Sequence, residues 1–449
     1  MQDAIVAAYA KPVPRYTSYP TAPHFHDGIG PDTYGRWLDA NNDTATRVSL
    51  YLHIPYCDRL CWFCGCHTKQ VRQYAPIASY LEALFAEIDL VAARLANTTI
   101  SAVHFGGGSP TMLRPDDMLR LDAHLRAGFT FAGDAEISVE IDPNDMDESR
   151  LDALSAIGMT RASLGVQDFD PRVQMAINRI QTFEQTREVI DGLRARGVAS
   201  VNLDMLYGLP HQTARSVLGT AKQVLSLAPD RVALFGYAHV PWMKTHQKMI
   251  DEKALPDARG RFDQAQLAAQ TLLSGGLEAV GMDHFAQPRD SLAIAARTGT
   301  LRRNFQGYTT DAADILVGLG ASSIGQFPQG IVQNQVPTAD YARAVTSGAF
   351  ATARGIELTD TDRMNAYVIE RIMCDFAVSR ADLTKKFGPA ASSVFNRADA
   401  FLATHKDGLF EAAGGHYVVT PRGKRFVRHF AAVFDEYLNE GAARHSTAV

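Results

Sequence analysis

Tyr56-Cys57-Asp58-Arg59-Leu60-Cys61-Trp62-Phe63-Cys64-Gly65-Cys66 gathers four of the five cysteines of a 449-residue chain into ten residues. Thiols this close either pair with each other or hold a metal. Disulfides fit poorly, because a single cysteine elsewhere and the lack of a secretion signal in residues 1–11 suggest a reducing compartment. Zinc sites usually join one close pair of ligands to a second pair well downstream, and no such pair follows. Thiolates at this density suit an iron–sulfur cluster. The Cys-x3-Cys-x2-Cys spacing of Cys57, Cys61 and Cys64 lets one short loop bind three irons of a four-iron cluster. The fourth iron is then left for a ligand from outside the protein, which is an arrangement for catalysis rather than electron storage. Cys66 leaves two readings. It completes an all-cysteine set or, as favoured here because an adjacent position reaches the remote iron awkwardly, it is a non-ligand near the site.

The elements that must position this loop read as alternating strands and helices. A strand at 48–54 runs into the cysteines, and the next helix shows an apolar face of Ile77, Leu81, Leu84, Phe85, Ile88, Val91 and Leu95 at helical spacing. Further strands are expected at 101–105, 136–141, 161–166, 201–207 and 231–238, with helices near 115–127, 148–157, 183–196 and 214–227. Six βα units close most naturally into a partial parallel (β/α)6 barrel, an α/β fold whose chemistry gathers where the strands end. Those ends carry Gly106-Gly107-Gly108-Ser109, Glu140, Gln167-Asp168, Asn202, Asp204 and Tyr237-Ala238-His239. The glycines allow either close approach of backbone to a ligand or a tight turn. Any one of the polar residues alone reads as a satisfied core group, but a ring of them at a barrel mouth implies polar ligands.

Residues 12–23 hold four prolines, which predict an extended N-terminal arm, either a surface linker or part of the site. A helix is expected over 255–276 and irregular segments over 277–331. Past about residue 355 the chain reads as mostly helical, with a hairpin around Gly414-Gly415 that makes the end winged-helix-like. The domains expected are the arm (1–47), the barrel with its extension (48–350) and a helical C-terminal domain (351–449). A basic helix starting near Arg422, with Lys424, Arg425 and Arg428, reads as a solvated face rather than a nucleic-acid surface, and the formal net charge of −5 agrees. Cys374 reads as core. The composition, 46% hydrophobic and 21% charged, is that of a globular protein, with no apolar stretch long enough to span a bilayer. A cytoplasmic monomer is expected.

The spacing of Cys57, Cys61 and Cys64 resembles the signature of the radical S-adenosylmethionine superfamily, in which the open iron chelates the amino and carboxylate groups of that cofactor. Nearly end to end, the chain is similar to the oxygen-independent coproporphyrinogen III oxidase family. The resemblance is carried by residues 14–21 in the arm, Cys64-Gly65-Cys66, Gly165-Val166-Gln167-Asp168-Phe169, Leu206-Tyr207-Gly208-Leu209-Pro210, Gly281-Met282-Asp283-His284-Phe285-Ala286 and the stretch Arg303–Thr310. Ser109 replaces a usual Thr and Trp62 a usual Tyr; neither alters the ligand spacing. The resemblance implies a 4Fe-4S cluster and two molecules of S-adenosylmethionine. It places the first near Tyr51, Phe63, Gly107, Glu140 and Ile324. The second falls near Gly108, Ser109, Gln167, Arg179, Asp204 and Ala238. It further implies decarboxylation of coproporphyrinogen III to protoporphyrinogen IX, two propionates becoming vinyl groups, with an electron donor that the sequence does not identify. Arg15 and Arg303, in stretches that also hold Phe305 and Tyr308, are the candidates for pairing with propionates. A heme-binding chaperone related to the family is the alternative; Cys66, the arm and the Arg303–Thr310 stretch favour the enzyme.

Overall fold

The computed structural model describes residues 2–438, so the last part of the expected 351–449 domain lies outside the described residues. Two helices, α1 (Gln2–Tyr9) and α2 (Pro31–Ala40), precede a sheet in which six strands follow one another as neighbours. These are β1 (Arg47–Ile54), β2 (Thr99–Gly107), β3 (Thr130–Ile141), β4 (Arg161–Gln167), β5 (Ser200–Tyr207) and β6 (Arg231–Gly236), and all five pairings are parallel. The crossovers are made by α3 (Ala75–Ala92), α4 (Pro115–Gly128), α5 (Glu148–Ala156), the short α6 (Pro171–Ala176) with α7 (Phe183–Ala195), and α8 (Ala214–Ser226). Each expected βα unit is present. The period of two along the strands explains the layers: Val103, Phe105, Ile137, Val139, Ala162, Leu164, Val201, Leu203 and Met205 are buried in the apolar layer shared with the helices. The intervening positions carry Tyr51, stacked on His104, and His104, Ser138, Glu140, Ser163, Asn202 and Asp204, which are linked by hydrogen bonds in the barrel interior.

The segment after α9 (Ala258–Ser274) departs from the reading of 277–331 as irregular. It supplies β7 (Glu278–Val280), β8 (His284–Ala286), β9 (Ile315–Leu319), β10 (Ile324–Gln326) and β11 (Gly330–Asn334), and β12 (Thr352–Glu357) follows. The full order is β12-β11-β10-β9-β1-β2-β3-β4-β5-β6-β8-β7. Strands of three to five residues are too short to show a period, and β9 is buried at every position, so no alternation marks it. β9 joins β1 in parallel, whereas β6 is followed by the antiparallel β8, so the barrel stays open.

Glu87 of α3 ties this extension to the first helix. Its buried carboxylate accepts from the Gly320 N–H (2.6 Å), Asn334 Nδ2 (2.6 Å) and the Tyr341 hydroxyl (2.7 Å). Burial outweighs these donors and raises the carboxyl to about 7. The folded state thus holds a proton that the unfolded chain, with its carboxyl near 4.5, has released. The resulting stability is complete below that value and lost as pH rises through 7, on the order of 3 kcal/mol in all. The melting temperature should fall between pH 5 and 8, and Glu87→Gln should flatten that slope; an unchanged slope would remove Glu87 from the account.

The prolines keep residues 12–21 free of helix, as expected, but α1 and α2 flank that run inside the expected arm. The arm is not a surface linker. Tyr9, Tyr16 and Tyr19 are buried in the apolar cluster of the C-terminal domain, where Tyr9 donates to Asp407 (2.6 Å) and Tyr16 to Asp435 (3.0 Å). That domain packs helices Asp360–Asp375, Arg380–Phe387 and Ala391–Thr404 against a three-stranded sheet of Ala377–Ser379, Phe410–Ala413 and His416–Val419. This is the winged-helix-like arrangement expected, with Cys374 buried in an apolar cluster. The basic run is a solvated face only in part, with Arg422 and Lys424 exposed, Arg425 half-buried and Arg428 buried. It forms only Lys424–Phe426 and the short helix Val427–Ala431, and Arg428 is 7% exposed. Charge in sequence does not report which side chains a neighbouring segment covers, and here the arm covers Arg428, which donates to the Val13 carbonyl (3.4 Å). Among the described residues no helix is long and apolar enough to cross a membrane.

Candidate active site

β1 ends at Ile54, and the chain then forms a loop closed by a parallel pairing of Tyr56–Cys57 with Lys69–Gln70. Cys57, Cys61, Cys64 and Cys66 all line one cavity of about 220 Å³ at the strand ends, together with Phe63, Gly107, Gly108, Ser109, Glu140, Gln167, Arg179 and Asp204. The structure thus brings twelve of the residues singled out in sequence to one place. The Cys57 thiol lies 3.0 Å from the Thr68 hydroxyl, and Arg179 Nη1 lies 3.7 Å from Cys61 Sγ. Burial pushes the Cys57 thiol up to about 12 and raises Cys61 as well. Cys64 is drawn the other way, to about 7, chiefly by hydrogen bonding from the Cys66 thiol and N–H, with Lys244 and Arg179 assisting. Among the described residues no group of His, Cys, Asp or Glu converges on a single ion. Thiols spread around a cavity suit the larger four-iron cluster instead.

The three glycines at the end of β2 are each crowded by the protein itself. A Cβ on Gly106 would meet the Glu140 carboxylate at 3.0 Å; on Gly107, whose φ is +110°, it would meet His53 at 2.7 Å. At Gly108 it would lie 2.5 Å from the Tyr56 carbonyl. Backbone bonds from Gly108 N–H to Ile54 O and from Ser109 N–H to Tyr56 O, both 2.8 Å, then hold the cysteine loop against β2. The Ser109 hydroxyl donates to Asp145.

Three carboxylates line the cavity, Glu140, Asp142 and Asp204. Glu140 accepts from the Gly107 N–H (3.1 Å) and pairs with His104 Nε2 (3.3 Å). Burial raises its carboxyl, but His104 and the N–H donor outweigh that and leave it below the usual range. Asp204 accepts from Asn202 (2.7 Å) and is raised to about 6, by burial first and then by Glu140 across the cavity. A ligand with a positive charge relieves that repulsion. Arg179 pairs with Asp142 (2.9 Å) and donates to Gly165 O (2.9 Å) and Gln181 Oε1 (3.1 Å), while its buried Nε has no partner. Asp168 belongs to the core instead, bonded by Thr220, Gln212 and the Asp170 N–H.

The remaining expected residues lie around the cavity or away from it. Tyr51 stacks on His104 (5.8 Å between ring centres) and bonds to His53, one layer behind Glu140. Ile324 packs in a peripheral apolar cluster with Phe25 and Phe305. Arg303 stands 4.3 Å over the Tyr308 ring and donates to the carbonyls of Tyr16 (3.0 Å) and Arg15 (3.1 Å), so it fastens the arm. Tyr308 is buried, donating to Met373 O. Sequence reasoning missed a clasp on the cysteine loop. In the segment after β6, Gln247 donates to Phe63 O (3.0 Å) and Ala238 O (3.1 Å), His246 Nε2 lies 2.8 Å from Cys64 O, and Lys244 donates to Cys66 O (2.9 Å). These residues sit in irregular backbone, where no period marks them. His53 and His104 were also missed, although their parity along β1 and β2 aims them inward with Tyr51.

A radical SAM superfamily model matches residues 51–224, which include the cysteine loop, Glu140, Arg179 and Asp204. A HemN C-terminal domain model matches residues 358–426. The chain is 47% identical over 448 residues to the oxygen-independent coproporphyrinogen III oxidase of Bradyrhizobium diazoefficiens, covering 100% of this chain and 99% of the relative. It is 39% identical to the enzyme of that name from Escherichia coli, over 98% of this chain and 96% of the relative. The chain belongs to the oxygen-independent coproporphyrinogen III oxidase family. It also superposes on the solved coproporphyrinogen III oxidase (HemN) from Escherichia coli, described as a radical SAM enzyme, with a TM-score of 0.90, 38% identity and coverage of 94% of this chain and 98% of that one. Coproporphyrinogen III oxidase similarity therefore spans arm, barrel and C-terminal domain together, and the α/β radical SAM fold is that of the family.

Proposed function

We propose that the chain converts coproporphyrinogen III to protoporphyrinogen IX, oxidatively decarboxylating two propionates to vinyl groups in porphyrin and heme biosynthesis. The observation that carries this is one cavity holding the Cys57, Cys61 and Cys64 thiols opposite the Glu140 and Asp204 carboxylates, in a chain with full-length coproporphyrinogen oxidase relatives. Cys57, Cys61 and Cys64 would hold the four-iron cluster and Cys66 stand beside it. When bound, the reduced cluster and S-adenosylmethionine supply hydrogen-atom abstraction from a propionate β-carbon, after which carbon dioxide leaves and a further electron is given up. Glu140, with Gly107 and Phe63 beside it, would accept hydrogen bonds from the cofactor's ammonium or ribose, and Tyr51 would buttress that wall through His104. A second S-adenosylmethionine would rest against Gly108, Ser109, Gln167 and Asp204. Burial and then Glu140 raise Asp204, and a cationic sulfonium beside it would offset both. Arg179, already paired with Asp142, would offer its buried Nε to that cofactor's carboxylate.

The free cysteines support a place in the reducing cytoplasm, with a one-electron donor of that compartment. The test is anaerobic incubation of reconstituted protein with coproporphyrinogen III, S-adenosylmethionine and a reductant, with porphyrins analysed after oxidation. Protoporphyrin is expected in amounts that rise with time. Cofactor cleavage without any vinyl product would overturn the substrate.

A further inference from the structure

The sheet beyond β1 continues the inner face of the barrel. Residues paired in register share a face. Ser49 pairs with Leu316, Leu316 with Gln326, Gln326 with Ile331 and Ile331 with Ile356; one period along, Tyr51 pairs with Gly318, Ile324 with Gln333 and Gln333 with Arg354. Arg354 of β12 therefore stands on the side of the sheet that carries Tyr51, His104 and Glu140. The opposite side is taken by α2 and the turn before it, since a Cβ on Gly355 would meet Ile29 at 2.9 Å and one on Gly330 would meet Trp37. Two contacts hold the half-buried guanidinium. Its Nε donates to Gln333 Oε1 (2.8 Å), and it lies 5.9 Å from the centre of the Phe25 ring. Phe25 is fixed in turn by two backbone bonds of 2.9 Å between His26 and Gly355. An amide oxygen and a ring orient a guanidinium without cancelling its charge. Among the described residues no carboxylate pairs with Arg354, whereas Arg161 and Arg231, on the same face at the N-terminal ends of β4 and β6, pair with Glu136 and Asp290. The surface around it is apolar: Ile324, Ile331 and Ile356 pack with Phe25 and Phe305. Burial first, then Lys244, His53 and Arg354, draws the His67 imidazole down to about 4. The guanidinium is thus near enough to the end of the cysteine loop for its charge to be felt there.

We propose that Arg354 binds the carboxylate of a propionate that the substrate keeps, with Ile324, Phe25 and Phe305 as the apolar wall against the macrocycle. The proposal rests on the coproporphyrinogen reading above and adds which kind of propionate is held, and by what. Four propionates enter and two lose carbon dioxide. A guanidinium on a departing carboxylate would stabilise the reactant more than the transition state and so slow its loss. Arg354 stands four strand positions from Tyr51, about 19 Å along the sheet, which suits the far edge of the substrate rather than the ring that reacts beside the cysteines. Gln333 occupies Nε, so the two Nη groups are left for the paired bonds that a carboxylate accepts.

The test is a fluorescence titration of the full, reconstituted chain with coproporphyrin III, its uncharged tetramethyl ester and protoporphyrin IX, on wild type, Arg354→Gln and Arg354→Lys. Arg354→Gln should bind coproporphyrin III and protoporphyrin IX each at least about tenfold more weakly, because both carry the kept propionates and truncating one partner of a charge pair reaches that factor. Arg354→Lys should recover part of the loss, restoring the charge without the fork. The ester should bind wild type and both variants alike. Wild-type affinity for both porphyrins in Arg354→Gln would overturn the subsite while leaving the activity standing. A loss confined to coproporphyrin III would overturn the assignment to a kept propionate. If the variants fail to fold, wild type still decides, since an ester bound as tightly as coproporphyrin III would remove the carboxylate contact. A wild type that binds coproporphyrin III through Arg354 yet forms no vinyl product would overturn the functional reading and uphold the subsite, and one that binds no coproporphyrin would overturn both.

Discussion

Cys57→Ala, Cys61→Ala and Cys64→Ala should each yield protein without the absorption of a four-iron cluster and without reductive cleavage of S-adenosylmethionine, whereas Cys66→Ala should keep both. Cys57 lies against the Thr68 hydroxyl at the far end of the loop and Cys61 against Arg179, while the Cys66 thiol and N–H turn toward Cys64. Changing groups around a metal site already costs about 10–100-fold in affinity or activity, so losing a ligand should exceed that. Anaerobic reconstitution followed by absorption and electron paramagnetic resonance, with 5′-deoxyadenosine counted alongside, reads both outcomes. A cluster lost in Cys66→Ala but retained in one of the other three would reverse the ligand assignment.

The second large effect concerns stoichiometry. Wild type should bind two molecules of S-adenosylmethionine per chain, and Asp204→Ala one, with vinyl formation lost and the cluster spectrum intact. Asp204 is the carboxylate farther along the sheet from the cysteine loop, on β5, and burial first, then Glu140, raises its carboxyl, so a cation beside it would favour its charged form. Arg179→Ala should behave differently, because it strips Asp142 of its buried partner and Cys61 of a donor. It should lower cluster content as well as turnover. Equilibrium dialysis of wild-type protein that saturates at one molecule per chain would sink the two-site reading.

How far the sequence discloses this molecule follows from where its signals are periodic. β1 to β6 alternate between a helix-packed side and a polar interior, and their helices carry apolar stripes, so both are legible as periods of two and 3.6. The same parity brought Glu140 and Asp204 to attention. β7 to β11 lack the length to show a period, and the clasp of Lys244, His246 and Gln247 is made by single side chains reaching backbone carbonyls. The glycines at 106–108 were visible, but the groups that exclude a Cβ there, His53, Tyr56 and Glu140, come together only in three dimensions. Arg422, Lys424, Arg425 and Arg428 were visible too, and what the sequence could not tell is that the arm and α9 close over part of the run.

The clasp also sets a timetable for biogenesis. His246 meets the Cys64 carbonyl across 182 residues of chain, and β6, which delivers it, is the last of the six parallel strands to be made. At about 5–20 residues per second, translation exposes the thiols roughly 10–40 s before the segment that secures their loop has emerged. Iron delivered in that interval would meet an unfastened loop and thiols free to scavenge other metals. Stable loading of the cluster is therefore expected only once residues 244–247 have emerged, and a nascent chain stalled before residue 244 should accept no stable cluster.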